Sequence, residues 1–283
     1  MLNVLHAQWY RIARNRAFWG LLITFAVIMA WDMVSVGQNY HGQEGYFDGI
    51  PPIGQDGVKV NLDAGAYLGK GGVVYFLLTL VLLLVASLFA EEWREGACRS
   101  LAAAPSFRRD YVLASALTVA LIALLFIGVA WAAVWAVIPR FPLLGVGDEM
   151  GRFARWSAQM VLVLEGYGML TIAVAAATKR LGPTLLATLL LGTGQFEILL
   201  ANGYVIADQV AQLAGLPALP GASGVAAAFF DSPAMLPSWL PAAQLQWMMG
   251  EGATPTAADA APVALLAAVA IAVAWFAVRR RAL

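Results

Sequence analysis

Residues 73–90 read VVYFLLTLVLLLVASLFA, eighteen residues without a charge, and residues 91–110 continue EEWREGACRSLAAAPSFRRD before a second uncharged run at 111–138. A helix rises ~1.5 Å per residue, so about 20 apolar residues cross a ~30 Å hydrocarbon core. Two such runs around a charged link form a helical hairpin through a membrane. Neither run alternates with period two, and both exceed the length of an outer-membrane strand, so helices are expected.

The whole chain has the same character. Of its 283 residues 61% are apolar and 12% charged, with a mean hydropathy of +0.75. A soluble domain has about 45–50% apolar and about 25% charged residues. These figures exclude a soluble globular domain, a disordered chain and a disulfide scaffold. The single cysteine, Cys98, forms no intrachain disulfide.

Six stretches are long and apolar enough to span: 17–36, 73–90, 111–138, 156–178, 181–202 and 262–278. The expected fold is an all-α integral membrane protein, one transmembrane domain over 1–283. The first stretch exceeds a signal core, and no small-x-small cleavage site follows it, so it is read as a retained span. Arg11, Arg14, Arg16, Arg94, Arg99, Arg108, Arg109, Lys179, Arg180 and Arg279 to Arg281 fall on one side, twelve in all. Lys59, Lys70, Arg140, Arg152 and Arg155 fall on the other. The basic side is cytoplasmic, which places both termini there. Trp19, Trp93 and Trp275 then mark inner span ends, and Trp31, Trp135 and Trp156 outer ones. The zero net charge is thus a cancellation between two oppositely charged faces, and no nucleic-acid partner is expected.

Residues 1–16 place Leu2, Leu5, Trp9 and Ile12 on one helical face and Asn3, Ala7, Arg11 and Arg14 on the other. This predicts an interfacial helix with its apolar side in lipid and Arg11 and Arg14 toward headgroups. The outer loop 37–72 contains Gly65 to Gly71 around Lys70, but the glycine spacing is not that of a phosphate loop and no Ser or Thr follows the lysine. Segment 203–261 is too apolar for a free loop and is broken by Pro217, Pro220, Pro233, Pro237 and Pro241. Re-entrant or interfacial helices packed against the bundle are expected there. His6 and His41 lie on opposite sides, so neither a metal site nor a Ser-His-Asp triad is expected.

The link 91–110 is charged at both ends, with a small-residue helical middle from Ala97 to Ala104 that Pro105 stops. It is either a cytoplasmic helix that a partner pushes or a solvated connector. At this point the chain resembles the permease subunits of ABC-2-type (type V) exporters. In that family span two ends in Glu, followed by Gly-Thr, a Leu-rich turn, Pro, Arg and a Lys opening span three. The matching positions are Glu92, Gly96, Leu101, Pro105 and Arg108 or Arg109, with Ala97 in place of Thr and Ser115 near the usual Lys. The final outer loop, with Leu236-Pro-Ser-Trp-Leu-Pro241, is most similar to the bacteriocin and lantibiotic self-protection branch.

The resemblance implies a transport subunit in a bacterial cytoplasmic membrane that is not itself an enzyme. Two copies of a separate ABC ATPase, which would carry ATP and Mg, would dock on the interfacial helix and on the coupling segment, with Glu92, Arg94, Gly96, Arg99, Leu101, Pro105, Arg108 and Arg109 as contact candidates. A second permease, identical or sister, would complete the pore. The substrate would be an amphipathic peptide, drug-like or lipid-like molecule, and no cofactor would sit on this chain.

Three acids remain inside the spans. Asp32, Glu165 and Glu197, with Gln195 nearby, all fall in the outer half. A buried charge costs about 2.5–3.5 kcal/mol on insertion scales, so each should face protein or water. Either they form an anionic vestibule on a substrate pathway, or they hydrogen-bond to neighbours. Competing functions are an ion- or proton-coupled carrier, for which no internal repeat is visible, a lipid-modifying enzyme, for which no His, Asp and Ser cluster is present, and an accessory structural subunit.

Overall fold

In lipid every backbone N–H and C=O must be satisfied within the segment, which leaves helices as the answer for apolar runs of this length. The computed structural model describes residues 2–42, 60–62, 71–94, 105–137, 140, 144–146, 150–215, 217 and 257–281. The elements are α1 (Leu2–Arg14), α2 (Arg16–Gly42), β1 (Val60–Leu62), α3 (Gly71–Arg94), α4 (Pro105–Val137), β2 (Leu144–Val146), α5 (Met150–Thr178), α6 (Leu181–Gly192), α7 (Gln195–Leu213) and α8 (Ala257–Arg281). Five helices are long and apolar enough to cross a membrane, over Arg16–Ser35, Val74–Arg94, Arg108–Val137, Ala154–Thr178 and Ala261–Arg280. They coincide with five of the six expected stretches.

The stretch 181–202 is not one helix, which corrects the expected fifth span. Its length and composition suit a span, but the backbone turns at Thr193–Gly194. Gly194 takes φ 76°, a left-handed conformation that costs a residue with a Cβ. The Thr193 hydroxyl donates back to the Leu189 carbonyl at 2.6 Å, and the Thr193 N–H donates to the same oxygen at 3.0 Å. Twelve residues of α6 rise only ~18 Å, well short of the hydrocarbon core. A Cβ on Gly192 would stand 2.5 Å from the Thr79 Cα, so α6 rests backbone to backbone on α3. The Tyr75 ring fills the space beside Gly194, where a Cβ would meet it at 2.5 Å.

Helix α5 is the hub. It packs on α3, α4, α6 and most extensively on α8, and 67% of its apolar window is buried, against 28% for α2 and α8. Its large side chains Trp156, Met160 and Tyr167 are fully enclosed. Small residues let α8 approach closely, with Gly166 of α5 against Leu266 and Ala267, and Ala267, Ala270 and Ala274 buried. The outer helices instead present Ile23, Val27 and Trp31 on α2 and Leu265, Val269 and Phe276 on α8 to the surroundings. Such apolar stripes need lipid or another subunit to cover them.

At one end, β1 and β2 pair in parallel, with Val60 opposite Leu144 and Leu62 opposite Val146. The ladder is three residue pairs long and leaves the expected all-α class unchanged. It joins the two loops that charge counting had placed on the same outer side. The expected re-entrant segment lies outside the described residues from 218 to 256, and the described start of it continues α7 to Leu213.

Candidate functional site

The bend between α1 and α2 comes from Asn15. Its side-chain oxygen accepts from the Ala17 N–H at 2.9 Å, an N-cap that starts α2 afresh. The Trp19 indole donates back to the Ala13 carbonyl at 2.8 Å. These bonds turn α1 across the bundle, where it packs on α4.

The side of α1 that meets protein carries Gln8 and Ile12, both buried. This corrects the expected arrangement of a wholly lipid-facing apolar side. Ile12 turns inward with Gln8, whereas Leu2 and Trp9 stay exposed. The reason is that Gln8 and Ile12 are spaced i, i+4, and a polar slot on α4 accepts the amide. Gln8 Nε2 donates to Ser115 Oγ at 3.1 Å, and Thr118 Oγ1 donates to Gln8 Oε1 at 2.8 Å.

One turn further along α1, Arg11 Nη1 stands 3.0 Å from Glu92 Oε1, near the C-terminal end of α3. Glu92 is buried, its side chain 8% exposed, while Arg11 is 43% exposed. The Tyr111 hydroxyl of α4 donates to Glu92 Oε2 at 3.1 Å. Trp93 meets the Tyr111 ring edge-on at 5.9 Å. One carboxylate therefore ties three helices together. A charge taken this far from water persists only where paired and hydrogen-bonded, and removing one partner is then costly. The space beside it, between Gln8, Glu92 and Phe89, measures about 10 Å³, room for a water at most. The cluster is a mechanical joint rather than a ligand pocket.

The remaining candidates fall into place around this joint. Arg94 ends α3 exposed, where a cation suits the helix C-terminus. Pro105 opens α4; as the first helical residue it forfeits no hydrogen bond. Arg108 is half-buried and Arg109 exposed on the first turn of α4. Gly96, Arg99 and Leu101, with the expected helix 97–104, lie outside the described residues. Trp9 is exposed, and Arg14 stacks over the Tyr10 ring at 4.8 Å.

The intramembrane candidates sit on three helices, α2, α5 and α7. Asp32 is exposed on α2, which packs chiefly on α4. Glu165 is half-buried near the middle of the apolar window Ala154–Thr178. Gln195 is exposed just past the break, and the side chain of Glu197 lies outside the described residues. Asp208, which the sequence placed in an exported loop, is buried on α7 and accepts from Gln212 Nε2 at 2.6 Å. Among the described residues, no group of three His, Cys, Asp or Glu could hold a metal ion.

Sequence reasoning missed Gln8, Tyr111, Ser115 and Thr118. One signal was available: Gln8 sits in the Val4-Gln8-Ile12 register, an odd place for an amide unless a partner waits for it. The family described as ABC-2 family transporter protein matches the chain over residues 5–195. That range holds every residue of the joint and ends at the α6–α7 break. No curated protein matches the chain.

Proposed function

The chain belongs to the ABC-2 transporter family, and from that premise we propose that it is the permease of an exporter whose power stroke enters through α1 and the segment 91–110. Family membership and the five apolar helices make it a multi-pass membrane protein, a transport subunit whose family implies an ABC ATPase partner. The single observation that supports the proposed input is the Arg11–Glu92–Tyr111 joint. A force applied to α1 or to the link after Arg94 reaches α3 and α4 together, because one buried carboxylate holds all three.

In this reading the basic face is cytoplasmic, and two ATPase subunits, carrying ATP and Mg, dock there. Arg94, Arg99, Arg108 and Arg109 offer them charge, and Gly96, Leu101 and Pro105 are further contacts. Closure of the ATPases rocks this permease against a second, identical or sister, one. An amphipathic peptide, drug-like or lipid-like substrate then leaves for the outer face. Glu165, half-buried at mid-depth on the hub helix, is the acid best placed to meet it. The proximity to the self-protection branch rests on the Pro-punctuated loop around 236–241, in sequence alone.

The test is purification in mild detergent with the cognate ATPase, comparing wild type with Glu92→Gln and Arg109→Glu. Stoichiometric ATPase in the wild type, and loss of it or of substrate-stimulated hydrolysis in the variants, supports the reading. Transport driven by a proton gradient with no ATPase bound would overturn it.

A further inference from the structure

A groove of about 410 Å³ opens between α5, α6 and α8. Its walls are apolar throughout, with Ala173 and Ala177 on α5, Ala187 and Leu191 on α6, and Val273 and Ala277 on α8. The small side chains of the walls leave room where larger ones would close the gap. The volume lies within the about 300–1,000 Å³ typical of small-molecule sites.

The groove has a charged end. On α8, Arg280 follows Val273 by seven residues and Ala277 by three, so it lies on the same face one turn beyond the lining. Arg180, the residue before α6, has an extended backbone and follows Ala177 of the α5 lining by three residues. Its backbone is held down, because Thr184 Oγ1 donates to the Arg180 carbonyl at 2.8 Å and its N–H donates to Thr178 Oγ1 at 3.4 Å. Arg180 and Arg280 are both exposed, and neither has an ion-pair partner among the described residues. Lys179 closes the same turn in a left-handed conformation at φ 55°. No side-chain hydrogen bond caps the N-terminus of α6.

We propose that this groove holds a phospholipid with an anionic headgroup, its acyl chain between the alanine-lined walls and its phosphate between Arg180 and Arg280. An apolar slot that ends in two cations matches the two halves of such a lipid. A neutral lipid would satisfy the slot but not the charges, and a soluble anion the reverse. The bound lipid would also cover the notch that the shortness of α6 leaves beside the hub helix. The proposal rests on the membrane-spanning reading of the chain and is independent of any ATPase.

The test uses the purified full-length chain in detergent, titrated with dioleoyl phosphatidylglycerol or dioleoyl phosphatidylcholine and read by native mass spectrometry. The wild type should prefer phosphatidylglycerol, by about fivefold for each arginine near the phosphate. Arg180→Gln with Arg280→Gln should abolish the preference while a lipid still binds. Ala187→Trp or, as a second wall, Ala277→Trp should reduce binding of both lipids. Preference retained in the double glutamine variant, or lipid retained in both tryptophan variants, overturns the proposal. So does efficient disulfide cross-linking between two chains through Ala187→Cys in a Cys98→Ser background, which would make the groove an interface between copies. Failure of ATPase association with intact lipid preference would leave this site standing and reject only the coupling reading.

Discussion

Arg11 of α1 and Glu92 of α3 meet at 3.0 Å, with the whole of the first span and the loop after it between them in the chain. The pair is lopsided, a buried carboxylate reached by a partly exposed guanidinium. The arginine can therefore be removed without leaving a hole in the core. Arg11→Ala should destabilise the detergent-solubilised protein by about 1–3 kcal/mol, the cost of leaving a buried charged acceptor short of a partner. Glu92→Gln should rescue part of that loss in the double variant, because an amide needs no counter-charge. Additive losses across the four-variant unfolding cycle would show that the two side chains are not coupled.

Tyr111→Phe keeps the edge-on contact with Trp93 and removes only the hydroxyl that donates to Glu92. The expected loss is about 1 kcal/mol. In the Glu92→Leu background, where the Glu92 acceptor is gone, the same change should cost less. Thermal unfolding of the two pairs of variants decides this.

The amide of Gln8 bridges Ser115 and Thr118, and hydrogen bonds between membrane helices average about 0.6 kcal/mol each. Gln8→Ala should therefore cost about 1 kcal/mol or more, with a further loss from the vacated space. Gln8→Glu should be tolerated better at acid pH than at neutral pH, since only a protonated carboxyl can still donate to Ser115. A pH-independent stability for Gln8→Glu would contradict the bonding described.

Glycines on α6 and on the outer faces should respond in opposite senses. Gly194→Ala must hold a left-handed backbone, worth about 1–2 kcal/mol, and also displace the Tyr75 ring. Gly192→Ala places a Cβ against the Thr79 backbone, which cannot move aside as a flexible side chain could. Gly20→Ala and Gly128→Ala meet nothing within 4 Å and should stabilise by roughly 0.5–1 kcal/mol through helix propensity alone. Melting temperatures of the four variants, measured side by side, give the comparison.

Topology is open to direct measurement because Cys98 is the only cysteine. In intact cells the native thiol should resist a membrane-impermeant maleimide. Asp63→Cys in a Cys98→Ser background should react with it. The reverse pattern would invert the orientation and with it the side on which an ATPase can dock.

The sequence alone determined the solvent, five of the spanning helices and their alternation, because each of these follows from local quantities. Hydropathy over about 20 residues sets a span, and the distribution of arginines between the ends gives the direction to expect. Neither needs a distant residue. Tertiary structure decided everything that depends on what lies across a helix. Leu181 to Asn202 is long and apolar enough to span, yet its helix breaks at Gly194, where α3 presents the Thr79 backbone and the Tyr75 ring to a stretch that can approach so closely only with glycines. Glu92 looked like one charge among several at the head of a link; Arg11 and Tyr111 made it the buried joint of three helices. Asp32 and Glu165 looked alike as intramembrane acids, but one lies exposed on an outer helix and the other half-buried on the hub. Periodicity shows which residues share a face, and only packing shows what that face meets.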